Sequence, residues 1–345
     1  MFLSVFATLA AGAFAVAPGT SSLQNILKNT HASYDYGYPT DITRDIIPIP
    51  VHSHKYATLD LAPQNDQWIP FPDYWRDRPF YTGLSKGCTS TEADVWLYNG
   101  TLYVCVYVPS PGYAKSLILV QVGHDESSLT YERTLENLYI NPILDVLERQ
   151  NPDSPFLTSP TKNGVWDTDT AQTLYFFIDV KTSGHETFEA VIKALEPLRQ
   201  KGYLTTLKGG KTVENGPVTI IGTGDTPLDM VLPVKDRDYF FDAPLDALAD
   251  SKYHKLDHRV SPIASTNFVK AVGQVNIDTE PVLRDEQLKA LRSQISLAKE
   301  RGIGARYWNT PNWPVRQRNL VWRTLLQEGV GLLNADDLDA VASFF

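Results

Sequence analysis

The chain is short of positive charge, short of sulfur, and has no phosphate-cradling glycine pattern. Lysine and arginine number 31 against 40 acidic residues, leaving a net charge of −9, and no basic stripe gathers anywhere along the 345 residues. That composition argues against a nucleic-acid partner, whose phosphates need a concentrated cationic face. Cys88 and Cys105 are the only cysteines, so no disulfide framework organises the fold. No glycine-rich fingerprint follows the first strand-like run, which argues against a dinucleotide-binding domain. Internal repeats and low-complexity tracts are lacking too, which leaves a globular architecture.

Long hydrophobic runs are equally scarce. The exception is the N-terminus, an alanine-rich apolar stretch ending in Ala15-Val16-Ala17 and Pro18. It is too short for a comfortable membrane span. The small-x-small ending reads as a secretory signal peptide over residues 1–17, with an uncleaved N-terminal anchor as the alternative. No arginine comes before Arg44, which argues against a mitochondrial transit peptide. The expected destination is the secreted or endomembrane-lumen space. Residues 18–45 are polar and aperiodic and read as a leader loop. Residues 46–345 then have the length of one large α/β barrel.

Within that span, short apolar runs alternate with helical periodicity. Ile46 to His54 reads as a first strand, and a helix opens near Asp73 and closes at Gly87. Ser90 to Leu97 is a second strand, and Asn99-Gly100 reads as a hairpin turn into a partner over Thr101 to Val104. Asn99-Gly100-Thr101 also has the form of a glycosylation acceptor. Leu138 to Arg149 has helical spacing, and Leu174 to Lys181 is strongly β-prone. Phe188 to Leu198 predicts another helix, and 218–222 and 239–242 predict buried strands. A helix through Leu288 to Ala298, closed by Gly302, precedes a strand at 304–308. A helix over 320–328 and a strand over 330–334 complete the pattern. Strands alternating with helices predict a parallel α/β sheet. Polar residues collected at strand C-terminal ends favour a closed, TIM-type (β/α)8 barrel in a single domain.

The chemistry begins with Ser90-Thr91-Glu92-Ala93-Asp94-Val95-Trp96-Leu97. Glu92 and Asp94 are two apart, so both point to one face of a strand. Two neighbouring carboxylates resist burial unless something positive lies between them. A hard divalent cation with oxygen ligands is the natural neutraliser. His52 and His54 end the first strand, His124 ends another apolar run, and Asp179 comes late in the 174–181 run. A barrel would bring all of these to one rim. Two imidazoles beside a carboxylate-held cation suit in-line displacement at phosphorus. Lys181 shares a face with Asp179 and is positioned either to bind a phosphate oxygen or to pair with the aspartate. Trp308, near a strand end, either floors a pocket or fills the barrel.

Those same segments carry a resemblance. His-Ser-His, Asp-Tyr-Trp-Arg, Glu-Ala-Asp-Val-Trp, Gly-His-Asp-Glu, Ile-Asp-Val-Lys and Tyr-Trp-Asn-Thr-Pro-Asn-Trp-Pro occur in this order between Ile46 and Asp339. Together they resemble the fungal family named altered inheritance of mitochondria protein 6. That family sits in the phospholipase C-like phosphodiesterase superfamily, with the glycerophosphodiester phosphodiesterases. The resemblance implies a TIM-type barrel and a metal-dependent phosphoric diester hydrolase acting on a glycerophosphodiester or lysophospholipid-like substrate. It implies Glu92 and Asp94 as metal carboxylates, Asp179 as a third acidic ligand, Mg²⁺ or Ca²⁺ as the cofactor, and His124 as one catalytic histidine. The other falls within His52-Ser53-His54, with His54 the better match and His52 the alternative.

Two departures interrupt the family pattern. Family members read His-Ser-His-Asn-Asp-Tyr-Trp-Arg without a break, whereas residues 55–72 stand here in place of one Asn. Family members also run Leu-Tyr-Val straight into Gly-His-Asp-Glu, whereas residues 104–121 intervene here. Every Val codon begins GT and Gln can be CAG, so residues 104–121 have the form of a retained intron. Genuine surface loops are the plainer alternative, since barrels tolerate them. Inserts beside both histidines keep a second function open: an impaired barrel that binds phosphorylated ligands or protein partners. A glycosidase is a poorer fit, because its two acids must flank a sugar bond rather than share one strand face.

Overall fold

The computed structural model describes residues 43–53, 79–104, 129, 131, 133–153, 155–275 and 281–345. The expected signal peptide, His54, His124, the strand end at 123–126 and nearly all of both interrupting segments lie outside them. Among the described residues there are twelve strands: β1 Ile49–Ser53, β2 Cys88–Tyr98, β3 Thr101–Val104, β4 Leu174–Val180, β5 Thr206–Lys208, β6 Thr212–Glu214, β7 Val218–Gly224, β8 Phe240–Phe241, β9 Ala243–Pro244, β10 Ile263–Asn267, β11 Gly304–Trp308 and β12 Leu332–Ala335. Between and after them run helices α1 Pro79–Ser85, α2 Asn141–Gln150, α3 Gly184–Ala194, α4 Glu196–Gln200, α5 Leu228–Val231, α6 Phe268–Ala271, α7 Asp285–Glu300, α8 Val315–Gln327 and α9 Leu338–Ala342.

The main sheet runs β8-β7-β4-β2-β1-β12-β11-β10-β9, every neighbour parallel. Its two ends, β8 and β9, are separated in the chain by Asp242 alone. They are therefore two halves of one stave, and the sheet closes on itself as an eight-staved barrel. The backbone bonds change sides at this point. Phe241 N donates to Val260 O at 2.9 Å, and Asp242 N donates to Gly222 O at 2.9 Å. The first strand, β1, lies between β2 and the last strand, β12. This is the TIM-type barrel the sequence predicts.

Element boundaries follow local chemistry. Asn99 and Gly100 both take positive φ, 49° and 79°, as a two-residue hairpin turn requires, and β3 pairs antiparallel with the end of β2. Gly87 ends α1 with φ 78°, and a Cβ there would come within 2.5 Å of Ile47 O. The helix expected over 320–328 starts earlier, at Val315, directly after Pro314. The run read as one strand at 239–242 is the divided stave. Two elements carry no clear sequence signal: β10, Ile-Ala-Ser-Thr-Asn, and the small β5–β6 hairpin.

Two cores result. The larger lies between strands and helices and includes Ile143, Val191, Leu291 and Trp322. The smaller fills the barrel lumen with Phe177, Leu207, Ile221, Phe240, Ile263 and Leu332. Side chains alternate along a strand, so the residue two further on faces the lumen one layer nearer the C-terminal mouth. Those residues are Asp179, Thr223, Asp242, Ser265 and Asn334. An apolar floor thus supports a polar layer at the mouth.

Candidate active site in the barrel mouth

Three carboxylates converge at that mouth. Asp94 on β2 is the direct register partner of Asp179 on β4, and Glu92 stands one layer below Asp94. Glu92, Asp94 and Asp179 each offer an oxygen, and these atoms lie within 4.8 Å of one another. Glu92 and Asp94 are buried, 4 % and 2 % exposed. Asp179 Oδ1 is buried and has no hydrogen-bond partner. Burial raises the Asp179 carboxyl to about 8, helped by the Asp94 and Glu92 charges and opposed by Lys181. Without a cation, burial and the neighbouring acids therefore favour the protonated form of Asp179.

Lys181 also lies here. Its ammonium pairs with Asp179 and stands 3.8 Å from Asp94 Oδ1. Burial pulls its pKa down, but the charges of Asp94, Asp179 and Glu92 outweigh burial and leave it raised. Of the two positions left open for Lys181, the aspartate pairing is therefore present. Trp308 ends β11 at the same mouth, 39 % exposed, in register with Asn267 of β10. It sits at the rim rather than in the packed interior.

Below the cluster, His52 is fully buried. Its Nδ1 meets Ser90 Oγ at 2.7 Å and its Nε2 meets Glu92 Oε2 at 2.9 Å. Its ring stands edge-on to Phe177, with centroids 4.9 Å apart. From the far wall Arg306 on β11 crosses the lumen. It donates from Nη2 to Glu92 Oε2 at 2.9 Å and from Nε to Asn334 Oδ1 at 3.0 Å. Its guanidinium lies 5.0 Å over the Phe177 ring. Asp242 faces the same lumen. It accepts from Thr223 Oγ1 at 2.9 Å, while its Oδ1 is buried without a partner. Burial raises it to about 6, and Arg306 holds it from going higher.

Sequence reasoning missed Arg306, Asp242, Asn334 and Ser265. A signal was present for Arg306, since it interrupts a short apolar strand as Glu92 does. The folded chain brings Glu92, Asp94, Asp179 and Lys181 together, with His52 directly beneath. The donor set is all oxygen, with a buried orphan carboxylate oxygen and mutual repulsion that a divalent cation would relieve, so these residues fit a hard metal ion.

The opposite mouth differs. A cavity of about 400 Å³ opens among the N-terminal strand ends, lined by Gln172, Thr173, Tyr175, Thr205, Thr219 and Phe240 among others. Thr219 Oγ1 lies 2.9 Å from Thr173 Oγ1 and 2.8 Å from Thr205 Oγ1, and Gly216 N donates to Thr205 Oγ1 at 2.9 Å.

Residues 40–117 and 118–242 match the model of the AIM6-like phosphodiesterase domain, and the two matched stretches meet inside residues 104–121. An altered inheritance of mitochondria protein 6 homolog from Arthroderma benhamiae is 48% identical over 99% of this chain and 98% of its own length. The protein of that name from Zygosaccharomyces rouxii is 32% identical over 88% of this chain and 71% of its own. A solved glycerophosphoryl diester phosphodiesterase from Parabacteroides distasonis superposes with a TM-score of 0.43 at 13% identity, covering 89% of this chain and 90% of that one. With a matching domain model over more than half its residues and a near-full-length relative at this identity, the chain belongs to the altered inheritance of mitochondria protein 6 family and carries its phosphodiesterase-like domain.

Proposed function

We propose that the protein is a metal-dependent phosphoric diester hydrolase acting on a glycerophosphodiester or lysophospholipid-like substrate. The observation that carries this reading is the meeting of Glu92, Asp94 and Asp179 within 4.8 Å at the barrel mouth. The three acids would hold Mg²⁺ or Ca²⁺. Bound there, the ion supplies charge neutralisation at the phosphoryl oxygens. Lys181 places a second positive charge beside the same oxygens. Trp308 offers an aromatic face at the rim for the apolar part of a substrate.

His54 and His124 are the proposed acid–base pair. One imidazole takes the proton of the attacking hydroxyl, and the other returns a proton to the departing alkoxide oxygen. His52 serves this role less well, since Ser90 and Glu92 engage its two ring nitrogens. The attacking hydroxyl is water or a neighbouring hydroxyl of the substrate itself. Phosphorus NMR separates a monoester product from a cyclic one. Placement in the secretory route is part of the same proposal and rests on the N-terminal sequence.

The test is hydrolysis of bis(p-nitrophenyl) phosphate by the full chain across a Mg²⁺ and Ca²⁺ titration, with Asp94→Asn as control. Activity that needs the cation and falls about 100-fold or more in the variant is expected, on the scale of losing a group that stabilises transition-state charge. Equal rates in wild type and variant, or full activity in EDTA, overturn the reading. The interrupted His-Ser-His run favours a second reading, a barrel that binds phosphorylated ligands without turnover. Phosphate binding with no hydrolysis by the wild type would select it.

A further inference from the structure

The mouth of the barrel holds more than the acids. Two donors from different staves reach one oxygen atom. His52 Nε2 on β1 and Arg306 Nη2 on β11 each lie 2.9 Å from Glu92 Oε2. Both donors are themselves fixed. His52 is tied through Nδ1 to Ser90, and Arg306 through Nε to Asn334 and more loosely, at 3.4 Å, through Nη1 to Ser265. Both also rest on the Phe177 ring, one edge-on and one stacked above it. His52 is 0 % and Arg306 3 % exposed, so neither is placed to bind substrate from solvent.

A carboxylate on a stem of two methylenes can swing and rotate. Two rigid donors on the same oxygen remove that freedom and set the plane in which Glu92 meets Asp94 and Asp179. We infer that His52 and Arg306 form an interior clamp that positions Glu92 for cation binding. They are positioning residues, acting through Glu92 rather than on the substrate. Hydrogen-bond partners behind a metal-ligating side chain are commonly worth about 10- to 100-fold in metal affinity. This inference rests on the cation site proposed above.

His52 offers a clean test because its two contacts can be removed one at a time. A glutamine amide nitrogen stands close to where Nε2 was, and an asparagine amide nitrogen close to where Nδ1 was. His52→Gln therefore keeps a donor for Glu92, whereas His52→Asn keeps the Ser90 contact and gives up the Glu92 contact. Neither changes the charge of a neutral imidazole. Arg306→Met is the poorer probe, because it also removes a positive charge that repels the cation. Arg306→Lys keeps the charge but cannot span Asn334 and Glu92 together.

The experiment titrates Mn²⁺ alone into the full-length protein and its variants. Free Mn²⁺ is read by electron paramagnetic resonance, and the melting temperature of each metal-free protein is measured alongside. His52→Gln is expected to bind within about threefold of wild type, and His52→Asn at least about 10-fold more weakly at a similar melting temperature. Arg306→Lys should weaken binding by a comparable factor and gives an independent reading if His52→Asn does not fold. Wild-type binding with like affinities in both His52 variants, or wild-type affinity in Arg306→Lys, overturns the clamp and leaves the phosphodiesterase proposal standing. Failure of the wild type to bind Mn²⁺ removes the cation site itself, and the clamp with it.

Discussion

The two mouths of the barrel are built from the same strands but solve their polar contacts differently. At the N-terminal mouth the hydroxyls of Thr173, Thr205 and Thr219 satisfy one another, and a backbone N–H of Gly216 completes the set. At the C-terminal mouth Asp179 Oδ1 and Asp242 Oδ1 are buried without partners, and three carboxyl groups crowd together. The cavity of about 400 Å³ lies at the N-terminal mouth, where polar contacts are satisfied. Unmet electrostatic demand points to a site in a way that mutually satisfied hydroxyls do not. A fold retains such tension only where another component relieves it or where the rest of the structure over-determines it.

The apolar floor between the mouths is the place to push hardest on this contrast. Phe177→Ala removes a fully buried ring that supports both His52 and Arg306. A loss of about 3–5 kcal/mol is expected by urea denaturation. A smaller loss would mean the two layers are not coupled through this ring.

Next in size is the dependence of stability on pH in the metal-free protein. The folded-state pKa of Asp179 is about 8, far above the unfolded value near 3.8. Between those values the folded state keeps a proton that the unfolded state has lost, so stability falls as pH rises from about 4 to 8. Asp242, raised to about 6, adds the same sign over the lower part of that window. Denaturation in EDTA at pH 5 and pH 8 should show this fall. Asp179→Asn should lessen it, and excess Mg²⁺ should offset it at pH 8. A flat profile in EDTA would show that the acids are not in conflict.

The smallest effect belongs to the satisfied mouth. Thr219→Val removes the central hydroxyl, at a cost of about 1–2 kcal/mol. It should leave turnover per folded molecule unchanged. A large loss of activity would join the two ends functionally and erase the distinction.

The barrel and its acidic quadrant were legible because their signals are local. Glu92 and Asp94 break an apolar run at a spacing of two, and Asp179 ends another run, so each declares itself within a few residues. The other half of the site was not legible, because its logic is long-range. Arg306 breaks a strand in the same way, but its partner Glu92 is 214 positions away. Asp242 looked like the end of a strand, when it is the hinge of a divided stave. The strand β10 escaped notice because Ser265 and its polar neighbours leave little of the apolar pattern that marks a strand. The two histidines favoured for acid–base work, His54 and His124, lie outside the described residues.

Because β1 is seated between β2 and β12, a nascent chain cannot seal its cylinder until residues 332–335 have left the ribosome. All three acids are synthesised in the first 179 positions, whereas Arg306 and Asn334 come more than a hundred residues later. A polypeptide halted in that interval would hold all three acids and lack the far-wall partners of Glu92. Emergence of β12 therefore also completes the set of side chains around Glu92.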